Sequence, residues 1–147
     1  MKSFKTYEAL ETIALGERIG KLLNKGDTVL LVGDLSCGKT TITKGIGKAL
    51  GVKKIINSPT FTIVKEYKGD VCDLLHLDLY RLDGVNNDFD LEEHIEGDAV
   101  CVIEWPYQVE DILPKEYLLI EMRRTGEEER NINVTGIGRY KKLEEML

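Results

Sequence analysis

The sequence predicts an α/β domain of three layers, with a central, mostly parallel sheet between helices and β-hairpins added to it. Three observations predict it. Two short runs, TVLLVG from Thr28 and AVCVIEW from Ala99, are apolar almost throughout, as strands covered on both faces are. Two segments carry apolar residues at helical spacing, one before the first run and one after it. Other strand-like segments come in pairs separated by short polar turns, the pattern of hairpins.

Taken in order, Thr6 is placed to cap a helix running to about Asn24, with Leu15, Ile19, Leu22 and Leu23 on one side. Lys25-Gly26-Asp27 is a turn into the first apolar strand, Thr28 to Gly33. A glycine-rich loop follows, then a helix to about Leu50 with Ile42, Ile46, Ala49 and Leu50 on one face and Gly51 as its stop. FTIVKEY (Phe61 to Tyr67) and VCDLLHLDLY (Val71 to Tyr80) flank Lys68-Gly69-Asp70 and read as a hairpin. Asp83 to Asp90 is polar and loop-like, and Leu91 to Ile95 suits a short helix. AVCVIEW is the second buried strand, stopped by Pro106. YLLIEMRR and ERNINVT flank Thr125-Gly126 as another hairpin. The end, GIGRYKKLEEML, places Ile137, Tyr140, Leu143 and Leu147 on one helical face.

The 147 residues have the length of one ordinary domain, and no repeat, low-complexity tract or linker divides them, so 1–147 is read as a single domain. With 42% hydrophobic and 31% charged residues the composition is that of a soluble globular chain. No apolar run approaches the roughly 18 residues of a membrane span, and MKSFKTYEAL lacks the apolar core of a signal peptide. A net charge of −6 argues against electrostatically driven nucleic-acid binding, so any link to nucleic acid is expected through a partner. The three cysteines have no metal-ligand spacing, and their odd number suits a reducing cytoplasm. Cys72 and Cys101 sit in apolar runs as small core residues. Cys37 lies in the glycine-rich loop, where a thiol beside helix-terminal N–H groups is either activated or simply small enough for the turn.

That loop, Gly33-Asp34-Leu35-Ser36-Cys37-Gly38-Lys39-Thr40, fits G-x-x-x-x-G-K-[ST], the phosphate loop of P-loop NTPases. Its glycines let successive backbone N–H groups point at phosphates, and the helix that follows adds its positive end. Lys39 would reach the β- and γ-phosphates, and the Thr40 hydroxyl, next to Thr41, would bind Mg²⁺. A strand before the loop and an amphipathic helix after it raise the match above a chance hit.

Nucleotide hydrolysis needs an acid at the end of a neighbouring strand to hold Mg²⁺ or orient water. Glu104 ends Ala-Val-Cys-Val-Ile, and Asp78 follows an apolar stretch in LLHLDLYRL; the bland alternative for each is a solvated strand-end carboxylate. SPTFT (Ser58 to Thr62) brings Thr60 and Thr62 to a loop-to-strand passage, where a hydroxyl could meet metal or phosphate as in a switch. His76 either faces the site or is a hydrogen-bonded strand histidine, and His94 reads as a surface residue. Arg81 is placed either to answer transition-state charge or to make a surface ion pair. Lys44, Lys48, Lys53 and Lys54 form either a solvated face or a patch for an acidic partner.

A GTPase would carry Asn-Lys-x-Asp late in the chain. Here Asn24-Lys25-Gly26-Asp27 precedes the phosphate loop, and D-x-x-G is absent. A small-molecule kinase remains an alternative but lacks visible parts for an acceptor pocket and lid. A non-catalytic nucleotide-binding adaptor is a third reading.

In order and spacing, GDLSCGKTT, SPTFTIVKEY, HLDLYRL, EGDAVCVIEWP and the following ILP closely resemble the TsaE family, bacterial ATPases of tRNA threonylcarbamoyladenosine biosynthesis. The resemblance spans essentially the whole chain. It implies a single α/β P-loop domain that binds ATP or ADP with Mg²⁺ and hydrolyses ATP slowly. It also implies association with the TsaD–TsaB complex, which transfers threonylcarbamoyl to adenosine 37 of tRNAs reading ANN codons. The roles it implies are Lys39 on the phosphates, Thr40 and Glu104 on Mg²⁺, Asp78 supporting metal or water, Thr60 and Thr62 in a switch-like segment, and Trp105 after the metal glutamate. Two departures stand out. The family loop usually reads G-D-L-G-A-G-K-T where this chain has Ser36 and Cys37, and NNDFDLEEHIE is more polar than its family counterpart.

Overall fold

Val29, Leu30 and Leu31 are entirely buried, and a run that is apolar on both faces can be satisfied only in the middle of a sheet. In the computed structural model of the chain this run is the centre of a seven-stranded sheet. The structure describes residues 1–34, 37–57, 64–78, 97–104 and 113–147. The strands are β1 Lys2–Thr6, β2 Thr28–Val32, β3 Val64–Tyr67, β4 Leu74–Asp78, β5 Val100–Glu104, β6 Tyr117–Arg124 and β7 Arg130–Ile137. The helices are α1 Ala9–Leu22, α2 Lys39–Ala49 and α3 Lys141–Met146, the last preceded by a 3₁₀ turn at Gly138–Tyr140.

The strand order is β1-β7-β6-β2-β5-β4-β3. β4, β5, β2 and β6 run parallel, while β3, β7 and β1 join the edges antiparallel. The architecture is therefore α/β with a mostly parallel centre and hairpins at its margins, as the sequence predicts. Among the described residues, no helix is long and apolar enough to cross a membrane.

Side chains divide the sheet into two faces. Val29, Leu31, Leu74, Val102, Leu118 and Ile120 share one cluster with Leu15 and Ile19 of α1 and Ile42 and Ile46 of α2. Leu30, Leu75, Leu77, Cys101 and Ile103 form a smaller cluster on the other face. The two helices meet at glycines. A Cβ on Gly45 would lie 2.1 Å from the Ile13 carbonyl oxygen, and one on Gly16 would lie 2.3 Å from that of Ile42. Backbone packs on backbone there.

The far end of the chain returns to the base of β2. Tyr140 Oη accepts from the Thr28 N–H at 2.9 Å and donates to Asp27 Oδ1 at 3.2 Å. Arg139 adds an ion pair to the same Asp27 oxygen, also at 3.2 Å. Burial, ahead of the nearby Asp27 charge, pushes the Tyr140 phenol up to about 12.

Three boundaries differ from the sequence-based expectation. Thr6 caps nothing: it ends β1, and its hydroxyl shares a 2.7 Å hydrogen bond with that of Thr12. Residues 2–6 pair with 130–134 of β7, so the helix starts only at Ala9. Ile137 belongs to β7, opposite Tyr117, and not to the terminal helix. Gly138, at φ 68°, turns the strand into the helix, where Tyr140 and Leu143 are buried as expected. In the first hairpin, β4 starts at Leu74, because Gly69 bridges back to Val52 before the chain extends.

Candidate nucleotide site

β2 delivers the chain to Gly33 and Asp34, and α2 starts at Lys39. Leu35 and Ser36 lie outside the described residues. Gly33 is held so closely that a Cβ would sit 2.6 Å from Cys37 Sγ and 2.6 Å from the Met122 carbonyl oxygen. Gly38 is the residue before the helix and has φ 100°, which an L side chain resists. The Cys37 N–H donates to the Asp34 carbonyl at 3.2 Å, and the Ile42 N–H to that of Gly38 at 3.0 Å. Thr40 and Thr41, both half-buried, stand in the first turn of α2.

Cys37 is 1% exposed. Burial raises its thiol pKa, and the Lys39 charge opposes that rise without overcoming it. Of the two readings of this cysteine, the activated thiol is therefore set aside. It is a small side chain filling the space under the loop. Cys72 and Cys101 are buried as well, and burial pushes the Cys101 thiol up to about 12.

Lys39 reaches back across the loop. Its Nζ donates to the Gly33 carbonyl at 2.9 Å and lies 3.9 Å from Glu104 Oε1. The lysine and the glutamate are 8% and 5% exposed. Glu104 arrives there by register: Leu31 of β2 pairs with Glu104 of β5, which pairs with Asp78 of β4. Residues paired across a sheet share a face, so both acids stand at the C-terminal strand ends on the α2 side. Asp78, 6% exposed, is no solvated strand-end carboxylate.

His76 lies one row behind. It is fully buried, and its Nε2 is 3.6 Å from Glu104 Oε2, just beyond a hydrogen bond. Among the described residues neither ring nitrogen has a hydrogen-bond partner. Burial, then the charges of Lys65 and Lys39, push its pKa down to about 4, so the ring is neutral at physiological pH. An unsatisfied buried polar group costs about 1–3 kcal/mol.

Among the described residues no group of three or more His, Cys, Asp or Glu side chains could hold a metal by itself. Mg²⁺ needs no such cage, being commonly held by one or two carboxylates together with nucleotide phosphate oxygens. Thr40, Asp78 and Glu104 supply hard oxygen donors of that kind.

Arg130 escaped the sequence reading. A Cβ on Gly38 would meet its Nε at 3.3 Å, so this guanidinium borders the loop. Its Nη1 donates to the carbonyls of Gly126, Glu127 and Glu129, which fixes it within its own hairpin. No motif marks it, because only the placement of β6 beside β2 brings it there. On the sheet side of the loop a groove of about 620 Å³ passes Gly33, Asp34, Lys5, Glu121 and Arg123. Both signs of charge line it.

The expectations for Thr60 and Thr62 within Ser58 to Thr62, and those for Arg81, His94 and Trp105, lie outside the described residues. So do the loop at 83–90 and the helix at 91–95. Lys48 pairs with Glu17 at 3.7 Å and Lys53 with Asp70 at 3.3 Å, the behaviour of a solvated basic face.

Comparison with known proteins adds the following. The family model described as threonylcarbamoyl adenosine biosynthesis protein TsaE matches residues 6–132. A tRNA threonylcarbamoyladenosine biosynthesis protein TsaE of Bacillus subtilis is 43% identical over 145 residues, 98% of this chain and 92% of that one. The protein of the same name in Streptomyces coelicolor is 41% identical over 133 residues, 84% of this chain and 89% of that one. The crystal structure of Bacillus subtilis YdiB superposes with a TM-score of 0.85 at 39% identity, covering 99% of this chain and 92% of that one.

Proposed function

The chain belongs to the TsaE family of threonylcarbamoyl adenosine biosynthesis proteins, and from that premise we propose that it is a Mg²⁺-dependent ATPase serving this tRNA modification. One observation carries the ATPase reading. A lysine from a phosphate-type loop and a carboxylate from the next strand are buried within 3.9 Å of each other at the C-terminal edge of a parallel sheet, where α/β folds bind their ligands.

The chain's own groups divide the work. The loop from Gly33 to Thr41, Leu35 and Ser36 included, would present backbone N–H groups to ATP or ADP, reinforced by the start of α2. Lys39 would exchange the Gly33 carbonyl for phosphate oxygens. Thr40, Glu104 and Asp78 would hold Mg²⁺, which when bound neutralises charge on the phosphates. Asp78 has the further task of orienting the attacking water, and the family resemblance gives Thr60 and Thr62 a switch-like part.

The same resemblance points to the TsaD–TsaB complex as the partner, with tRNA reached only through it. The net charge of −6 agrees with a protein that does not grip RNA alone. ATP turnover would be measured with and without TsaD–TsaB for the unaltered chain, Lys39→Ala and Glu104→Gln. We expect slow turnover alone, a change on adding the partners, and a loss on the order of 10²-fold or more in both variants. Vigorous turnover that the partners neither bind nor alter would sink the proposal. A chain that binds nucleotide tightly without turnover would instead be an adaptor.

A further inference from the structure

His76 is the one buried side chain near the site whose polar atoms are left without hydrogen-bond partners among the described residues. It shares a row of the sheet with Lys65 on β3 and Val102 on β5, one row behind Asp78 and Glu104. That makes it the diagonal neighbour of Glu104 across the β4–β5 pair. An aliphatic side chain would suit this buried row better than an imidazole with two idle nitrogens. The feature that gives the imidazole a purpose is Glu104 Oε2, 3.6 Å from Nε2.

We propose that His76 is a positioning residue for Glu104, its Nε2–H directed at Oε2 and closing to a hydrogen bond when the carboxylate turns Oε1 toward Mg²⁺. Lys39 lies 3.9 Å from Oε1. Phosphate oxygens competing for that ammonium would leave Glu104 to hold the cation, and the imidazole behind would keep the carboxylate from following the lysine. Partners that orient a metal ligand in this way typically matter 10–100-fold for metal affinity or activity. The inference rests on the reading of Glu104 as a Mg²⁺ ligand.

The test is ADP affinity with Mg²⁺ and with EDTA, measured by calorimetry on the full chain, for His76→Leu, His76→Gln, His76→Asn and Glu104→Gln. The gain in affinity conferred by Mg²⁺ should fall about 10-fold or more in His76→Leu. Its affinity in EDTA and its melting temperature without nucleotide should not fall. His76→Gln, which keeps a donor near the Nε2 position, should restore the gain, and His76→Asn, whose donor sits near Nδ1, should not. A full Mg²⁺ gain in His76→Leu overturns the proposal. Should that variant not fold, equal gains in the Gln and Asn variants overturn it. If Glu104→Gln itself keeps the full gain, the Mg²⁺ reading beneath fails first, and that outcome is distinct from the other two.

Discussion

Gly38 holds φ 100°, with Met122 Cε and Arg130 Nε both near where a Cβ would stand, at 3.1 and 3.3 Å. Those neighbours are ends of flexible side chains and can shift, so the backbone angle dominates the effect of a substitution. Gly38→Ala is expected to lose about 1–2 kcal/mol of stability, and urea denaturation would measure it. ADP affinity should fall as well, since relaxing the angle turns loop N–H groups away from the phosphates. At this scale the sequence was informative wherever chemistry is local. Gly33, Gly38, Lys39 and Thr40 are legible as a motif, and Asp78 and Glu104 as acids closing apolar runs. His76 was legible only as one of two alternatives and Arg130 not at all, for a common physical reason. Their importance depends on what stands across the sheet from them, which a linear pattern does not encode.

The contact of α1 with α2 reverses a rule of helix chemistry. In an exposed helix interior, replacing glycine by alanine stabilises by roughly 0.5–1 kcal/mol. At Gly45 the new Cβ would stand 2.1 Å from the Ile13 carbonyl oxygen, a backbone atom that cannot yield without parting the helices. Gly45→Ala should therefore destabilise, by about 1–3 kcal/mol as overpacked cores do, and the urea midpoint gives the sign directly. A stabilised variant would show that the helices separate at little cost. Apolar spacing located α1 and α2 but overlooked this seam, because glycine contributes nothing to a hydrophobic period. β1 was hidden for a related reason. In Lys2–Thr6 only Phe4 is a core-facing apolar residue, so the strand owes its existence to pairing with β7, and Thr6 looked like a cap instead.

For the molecule as a whole, Tyr140 closes the fold by tying its last helix to the start of the central strand. Its folded pKa of about 12 lies above the usual value of 10.0, so the native state prefers the neutral phenol. That contribution is complete below pH 10 and is lost as pH climbs from 10 towards 12. Cys101, raised to about 12 by burial, acts with the same sign. Tyr140→Phe should cost about 1–3 kcal/mol at pH 7, because the Thr28 N–H loses its acceptor. The variant should then lose less additional stability than the unaltered chain between pH 9 and 11.5, in parallel urea titrations. The α/β class and mostly parallel centre were legible, since strands buried on both faces have few other homes. The order β1-β7-β6-β2 was not, because it joins the first residues of the chain to its last strands. The glycine seam has a further meaning at this scale. With α2 packed against α1 backbone to backbone at Ile42 and Gly45, the helix that follows the glycine-rich loop is seated when the chain folds. The entropy of ordering that helix is thus charged to folding, and an anion bound at its start, as proposed, would not lose that cost from its binding free energy.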